Sequence, residues 1–506
     1  MAKRSPFWLT TLIILISLPL ILPFLYVILR TANVGWIRSL ELLLRPRMWE
    51  LLSHTLILMV GVTFFSVVIG IGCAFLLERY QFCGKRFFQI SMSLPLCIPA
   101  FVSCFTWISL TFRMEGMFGA ILIMTLSSLP LAYLPVTATL KRLDRSLEEV
   151  SLSLGKNRIY TFWHAIFPQL KPAIGSSILL IALHMLIEFG AVAILNYQTF
   201  TTAIFQEYEM SFDNNTAALL SAVLLSICLL LLIAESQFRG KTALSFQGKG
   251  VNRPYPVKPL TIYGQIGAVL FFSTLFLLSI GIPVIMLLYW LSVGSSAQEG
   301  WDWLSFADAL SHSILFSALG AILAVLCAFP LVWAAIRYPS RLTRIIERLP
   351  YILHAVPGLV IALALIYFGI NYARPIYQTF ILVLLAYLML YLPMAQTTLR
   401  ANLEQLPIAM ENVGKTLGRN SFYIFRTIIV PAMLPGIAAA FSLVFLNLMK
   451  ELTATLLLTP NDIKTLSTAV WEYTSDAKYA AATPYAIMLI LFSGIPVFLL
   501  KKYAFK

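Results

Sequence analysis

An all-α integral membrane protein, with twelve transmembrane helices laid out as two parallel six-helix repeats, is the fold expected of this chain, and three features point to it. Hydrophobic residues make up 59% of the 506 residues and charged residues 11%, against about 25% charged in a soluble domain; mean hydropathy is +0.86. Apolar runs long enough to cross ~30 Å of hydrocarbon as a helix recur along the whole length. Short motifs then reappear in the same order in the second half of the chain.

The runs fall at about 7–29, 53–77, 87–112, 118–139, 176–196, 217–235, 264–291, 313–336, 348–370, 377–399, 433–458 and 483–500. The first follows Lys3 and Arg4, yet it is too long for a signal-peptide core and has no small-x-small cleavage site, so it is expected to be a retained helix. The third and ninth are interrupted by Pro95 and Pro99 and by Pro350 and Pro357. Membrane helices tolerate such breaks where neighbours or water satisfy the freed backbone groups, which suggests a path rather than a solid bundle.

A net charge of +14 raises the question of nucleic acid, and the distribution of charge answers it. Of 36 Lys and Arg, 27 lie in the N-terminus, 78–86, 140–172, 236–262, 337–348, 400–432 and the tail residues Lys501, Lys502 and Lys506, all on one side of the drawn spans. By the positive-inside rule that side is cytoplasmic and holds both termini. Loops 197–216 and 292–312 contain no Lys or Arg and are expected outside; Arg30, Arg38, Arg45 and Arg47 dissent from an outer loop. Six cysteines and five histidines are scattered without metal-ligand or disulfide spacing.

Ser53-His54-Thr55 and Arg79-Tyr80 recur as Ser311-His312-Ser313 and Arg337-Tyr338, 258 positions on. "EFGAVAIL" (188–195) aligns with "ELTATLLL" (451–458), and "TFTTAIFQEY" (199–208) echoes "TLSTAVWEY" (465–473). An even number of spans per copy makes the repeat parallel, with a pseudo-twofold axis along the membrane normal. The expected units are 1–237 and 263–506, joined by a basic, Gly- and Pro-containing cytoplasmic linker at 238–262.

The inner loop 141–172 is polar and, at 32 residues, too long to lack structure. Ser146 stands three residues before Glu149, a capping-box spacing, and Leu147, Val150 and Leu154 share one helical face. Met410, Val413 and Leu417 repeat the stripe behind Pro407, a first-turn proline. Gly155 and Gly418 are expected to stop this helix, and Asn157 and Asn420 to cap a second one that ends before Pro168 or Pro431. Such a pair either lies on anionic headgroups or docks another protein.

An acid, two further residues, Gly six places after the acid and Pro thirteen after that Gly resembles the "EAA" loop of importer-type ABC permeases. The first copy reads Glu149-Val150-Ser151, Gly155, Pro168; the second reads Asn412-Val413-Gly414, Gly418, Pro431, with its acid one place early at Glu411. The resemblance implies a type I ABC importer-like fold in which the loop is a coupling helix seated on a cytoplasmic ATPase. Glu148, Glu149, Leu154, Gly155, Glu411, Leu417 and Gly418 are then the coupling residues, with Pro168 and Pro431 as loop ends. The chain's own G-K-T triplets at 240–242 and 414–416 lack the earlier glycine of a phosphate-binding loop. It is expected to be no enzyme and to bind no cofactor, with ATP hydrolysed on the partner.

Ionisable residues inside a span are functional candidates, since each costs at least ~2.5 kcal/mol at mid-bilayer. Glu188 and Glu451 stand at equivalent positions of the fifth runs. Either they face a central path as a transient site for a hard cation, or they bond a neighbouring helix or hold a kink. Residues 188–205 and 450–458 resemble the fused permeases of ferric iron importers. That family implies two copies of a cytoplasmic ABC ATPase, a periplasmic binding protein delivering iron(III), a bacterial inner-membrane location amid lipid, and no nucleic acid. Fused permeases for thiamine or a phosphonate share the architecture, and a gradient-driven secondary transporter is the alternative from another class.

Overall fold

The computed structural model describes residues 6–143, 146–239, 257–293 and 302–504. Lys3, Arg4, linker residues 240–256 and Lys506 lie outside the described residues, as does the side chain of Leu147. The chain is mostly helix. Nine described helices are long and apolar enough to cross a membrane, and the number rises to eleven if two sharply bent pairs each count as one span.

In chain order the helices are α1 (Phe7–Val34), α2 (Trp36–Leu43), α3 (Pro46–Arg79), the bent pair α4 and α5 (Lys85–Cys97, Ala100–Leu110), and α6 (Met117–Arg142). Next come α7 (Ser146–Ser153), α8 (Arg158–Ile187), α9 (Gly190–Ile194), α10 (Phe200–Glu209), α11 (Asn214–Arg239) and α12 (Ile262–Val293). The second half continues with α13 (Trp303–Arg337), the bent pair α14 and α15 (Arg341–Leu353, Gly358–Tyr372), α16 (Phe380–Glu404) and α17 (Ile408–Thr416). It ends with α18 (Ser421–Met449), α19 (Thr453–Leu458), α20 (Leu466–Ser475) and α21 (Tyr479–Ala504).

Local chemistry sets many of the starts. Pro46 opens α3 where its missing N–H is no loss. Asp213 and Asp302 accept N–H bonds from Thr216 and Ser305, both at 3.1 Å, at the heads of α11 and α13. Reciprocal capping boxes at Ser340/Thr343 and Thr465/Thr468 start α14 and α20.

Four expectations change. The third and ninth runs are not straight spans: they fold back by 96° and 109°, with Pro99 and Pro357 in extended conformation immediately before the second limbs. The fifth runs begin earlier and stop before the glutamates, which stand just beyond the ends of α8 and α18. Pro168 and Pro431 are not loop ends. Each follows a π-helical turn, Phe162–Ile166 or Phe425–Ile429, and the helix continues through it; the widened turn accommodates a residue that cannot donate to the carbonyl four positions back. Lastly, the linker's final residues are ordered by a short parallel strand pair, Tyr80↔Lys258 and Gln81↔Pro259.

Two compact units emerge. One comprises residues 40–206 and 226–298. Its core is α3, α6 and α8 packed together, with Gly70 so close to α6 that a Cβ there would lie 2.7 Å from that of Ala132. Stacked rings Phe82, Phe88 and Phe272 hold α12 to α4, and α12 also packs on α5. The other unit comprises 1–39, 207–225 and 299–506. There α13, α16 and α18 form the equivalent core, and α1 packs against α13 and α15. Arg30, one of the dissenting outer-loop cations, is held on α1 by the face of Tyr367, 4.6 Å from its ring centroid.

Candidate functional site

The strongest candidate is the elbow between α7 and α8 together with its repeat between α17 and α18. Both helices end in a left-handed glycine, Gly155 at φ +75° and Gly418 at φ +73°. Gly155 N–H donates to Leu152 O and Lys156 N–H to Ser151 O; Gly418 N–H donates to Lys415 O and Arg419 N–H to Gly414 O. This paired pattern is the Schellman closure, and it requires the conformation that glycine adopts without penalty. Two residues on, Asn157 and Asn420 each accept the N–H three positions later, from Tyr160 and Tyr423, both at 2.7 Å. Lys156 and Arg419 then lie over the rings of Tyr160 and Tyr423. The bend expected from the spacing is present in both copies.

Each first limb is tied inward by an ion pair. Arg79 Nη1, at the end of α3, lies 3.1 Å from Glu148 Oε2, and Arg337 Nε, at the end of α13, lies 2.6 Å from Glu411 Oε1. All four side chains are at most 14% exposed. Glu411 therefore matches Glu148 rather than Glu149, which is exposed. The sequence shows both arginines as a recurring pair, but not that they meet these acids.

The inner contact between limbs is made in two different ways. In the first copy the hydroxyls of Ser151 and Thr161 hydrogen-bond at 2.8 Å. In the second, Gly414 replaces the serine and Ile424 the threonine, and a Cβ on Gly414 would sit 2.8 Å from Ile424 Cγ1. A polar pair has been exchanged for a small residue beneath a large one.

With polar groups facing inward, the apolar stripe faces out. Val150 and Leu154 are 54% and 72% exposed, and Met410, Val413 and Leu417 are 44%, 59% and 73% exposed. Recurrent exposed apolar residues on a short helix make a contact surface rather than a folding core.

At their other ends α8 and α18 meet the glutamates. Glu188 Oε1 accepts Ala191 N–H at 3.1 Å, and its backbone carbonyl accepts the Thr201 hydroxyl at 2.7 Å. Glu451 accepts Ala454 N–H at 2.8 Å and Thr455 N–H at 2.9 Å, as well as the Thr455 hydroxyl, and its carbonyl accepts from Ser467. Both carboxylates thus cap the short helices α9 and α19. Glu451 is buried, whereas Glu188 is partly exposed, with Oε2 3.8 Å from His184 Nε2. Among the described residues, no group of three His, Cys, Asp or Glu is placed to hold a metal ion. The repeated Ser-His-Thr/Ser motif also gains a structural role, because the Thr55 and Ser313 hydroxyls accept Phe200 N–H and Leu466 N–H at the heads of α10 and α20.

Comparison with known proteins places the same two segments in one family. A family model described as binding-protein-dependent transport system inner membrane component matches residues 66–239 and again 320–504. The Fe(3+)-transport system permease protein FbpB 2 of Haemophilus influenzae is 71% identical over 506 residues, covering the full length of both chains. The ferric transport system permease protein FbpB of Actinobacillus pleuropneumoniae is 23% identical over 87% of this chain and 69% of its own. The sulfate transport system permease protein CysT of Escherichia coli is 27% identical over 46% of this chain and 91% of its own.

Proposed function

The chain belongs to the family of binding-protein-dependent transport system inner membrane components, and from that premise we propose that it is the membrane permease of an ATP-driven importer of iron(III). Its partners are a periplasmic binding protein that delivers the ion and two copies of a cytoplasmic ABC ATPase, one per elbow. Both termini and both elbows lie on the cytoplasmic side. Twelve spans in two parallel repeats make up the permease, with 1–237 and 263–506 as the repeated sequence units. ATP is bound and hydrolysed on the ATPase.

One observation carries this reading: the two elbows share the same glycine closure, asparagine cap and arginine–glutamate tie, and each is one end of a long rod whose other end is a glutamate-capped break. The helix α8 covers 30 residues and α18 covers 29, which at 1.5 Å per residue is about 45 Å. A push on α7 passes to α3 through Arg79–Glu148 and to α8 through the Gly155 bend. The rod delivers it to the break at Glu188. In the second unit the same movement runs through Arg337–Glu411 and Gly418 to Glu451. A self-contained carrier has no use for two matched docking elbows.

Iron(III) cannot cross hydrocarbon bare, since burying even one unpaired charge is prohibitive. Its route is therefore opened at the breaks. Glu451 serves as a cap, and Glu188, with one carboxylate oxygen turned away from its cap, is the acid a passing cation meets. The test is uptake of radiolabelled iron(III) by proteoliposomes holding the chain, its ATPase and its binding protein. Accumulation that needs both ATP and binding protein supports the proposal; accumulation driven by a proton or sodium gradient without ATP refutes it.

A further inference from the structure

The first limb of the second bent pair, α14, carries three different strips around its circumference. Ile346, Glu347 and Pro350 lie on the face buried in the bundle. Arg341, Arg344 and Arg348, spaced i, i+3 and i+7, form an exposed basic strip. Beside them Leu342 and Ile345, 45% and 68% exposed, form an apolar strip.

The one acid of this helix is turned inward. Glu347 pairs with Arg400 near the end of α16, and its backbone carbonyl accepts Gln396 Nε2 at 2.9 Å. Among the described residues no carboxylate pairs with the three strip arginines; Arg344 Nε donates to Ser340 O at 3.2 Å. The helix follows directly on α13 and is tied to the last turns of α16, so it lies at the ends of two helices long enough to cross a membrane. A turn of 109° then leads into α15, which sets α14 not far from perpendicular to that limb. A helix across the ends of spanning helices, with apolar and basic strips both turned outward, has the form of an interfacial helix.

The matching limb α4 of the first half is built differently. Arg86 stands where Arg344 does, with Lys85 beside it, but Cys83 and Ile90 stand where Arg341 and Arg348 do. Phe87, the counterpart of Ile345, already meets Phe276 edge-on.

We propose that α14 lies in the membrane interface and binds anionic glycerophospholipid, its three arginines on the headgroup phosphates and Leu342 and Ile345 among the upper acyl chains. Arginines at the surface attract anionic headgroups, and the apolar strip beside them selects a lipid over free phosphate. The second limb begins against the Glu451 break: a Cβ on Gly358 would lie 3.9 Å from Glu451 Oε1. Lipid on α14 thus anchors the limb that starts at that break.

The experiment places a bimane label at Ile345→Cys in the full chain, in a Cys83→Ser background that removes the exposed native thiol; the labelled Cys83→Ser parent is the blank. The chain is reconstituted in phosphatidylcholine vesicles in which a fixed fraction of the lipid is brominated, either as phosphatidylglycerol or as phosphatidylcholine, so that quenching reports the lipid beside the label. Brominated phosphatidylglycerol should associate at least about five-fold more strongly than brominated phosphatidylcholine. Replacing all three exposed arginines (Arg341→Gln, Arg344→Gln, Arg348→Gln) should make the two lipids equal. Arg348→Gln alone should fall between, and decides the matter if the triple variant does not fold. Equal quenching by the two lipids with the arginines in place would overturn the proposal, as would a preference unchanged by their replacement. Quenching by neither lipid would put water or a protein on this face, and the lipid assignment would fail.

Discussion

Arg337 Nε lies 2.6 Å from Glu411 Oε1, joining the end of a long membrane helix to the short helix 74 positions further along the chain, with both side chains largely shielded from solvent. The Arg79–Glu148 pair does the same in the first unit. Such a pair, once one partner is removed, leaves a poorly solvated charge behind. Glu411→Gln should therefore loosen α17 without unfolding the bundle. In a double-mutant cycle of Arg337→Met with Glu411→Gln, the coupling energy should be about 1–3 kcal/mol, read as loss of ATP-dependent uptake at preserved ATPase activity. Additive effects of the two changes would show that the pair transmits nothing.

The left-handed glycines give a second prediction. A Cβ at φ near +75° costs roughly 1–2 kcal/mol, and proline cannot adopt that conformation or donate the closing N–H. Gly155→Pro or Gly418→Pro should uncouple uptake from hydrolysis, while Gly155→Asn, which tolerates the left-handed region, should be nearly silent. Circular dichroism and thermal melting in detergent should show the membrane part folded in all three. Normal coupling in both proline variants would exclude the bends from transmission.

The different inner contacts of the two elbows can be interchanged. Gly414→Ser drives a Cβ into Ile424 and should destabilise the second elbow by about 1–3 kcal/mol. Adding Ile424→Thr recreates the hydroxyl pair of Ser151 and Thr161 and should recover most of the loss. Protease sensitivity of the 408–424 segment measures it. A double variant no better than the single one would mean that the two elbows do not share a common frame.

The glutamates separate capping from ion contact. Glu451→Ala leaves two buried N–H groups without their acceptor and should cost on the order of 1–2 kcal/mol, seen as a lowered melting temperature. Glu188→Gln keeps a capping oxygen but no charge, so it should leave melting unchanged and reduce iron uptake. Unchanged uptake in Glu188→Gln would limit that carboxylate to its capping role.

Much of the elbow was legible in the sequence because its determinants are local. A left-handed glycine, an Asn three residues before the N–H it accepts, and an apolar stripe at helical spacing are all short-range patterns, and the structure places each of them at the expected position. The ion pairs were not legible, since Arg79 and Glu148 are 69 positions apart and only the fold brings them together. Nor were the folded-back third and ninth runs: Pro99 and Pro357 mark a break, but a proline does not specify its angle, here 96° and 109°. Hydropathy alone also carried the fifth runs through Glu188 and Glu451, where the carboxylates end one helix by capping the next. Pro168 misled for the opposite reason, because a π turn lets the helix pass through it.

The central proposal is that a separate ATPase drives the membrane rods through both elbows. Its most direct measurement is site-specific crosslinking from Leu154→Cys and Leu417→Cys, in a Cys83→Ser background that removes the exposed native thiol, in proteoliposomes actively taking up iron(III). Both positions should capture the ATPase, and the crosslinked complex should hydrolyse ATP without transporting. Uptake at full rate with neither position reaching the ATPase would contradict the proposal.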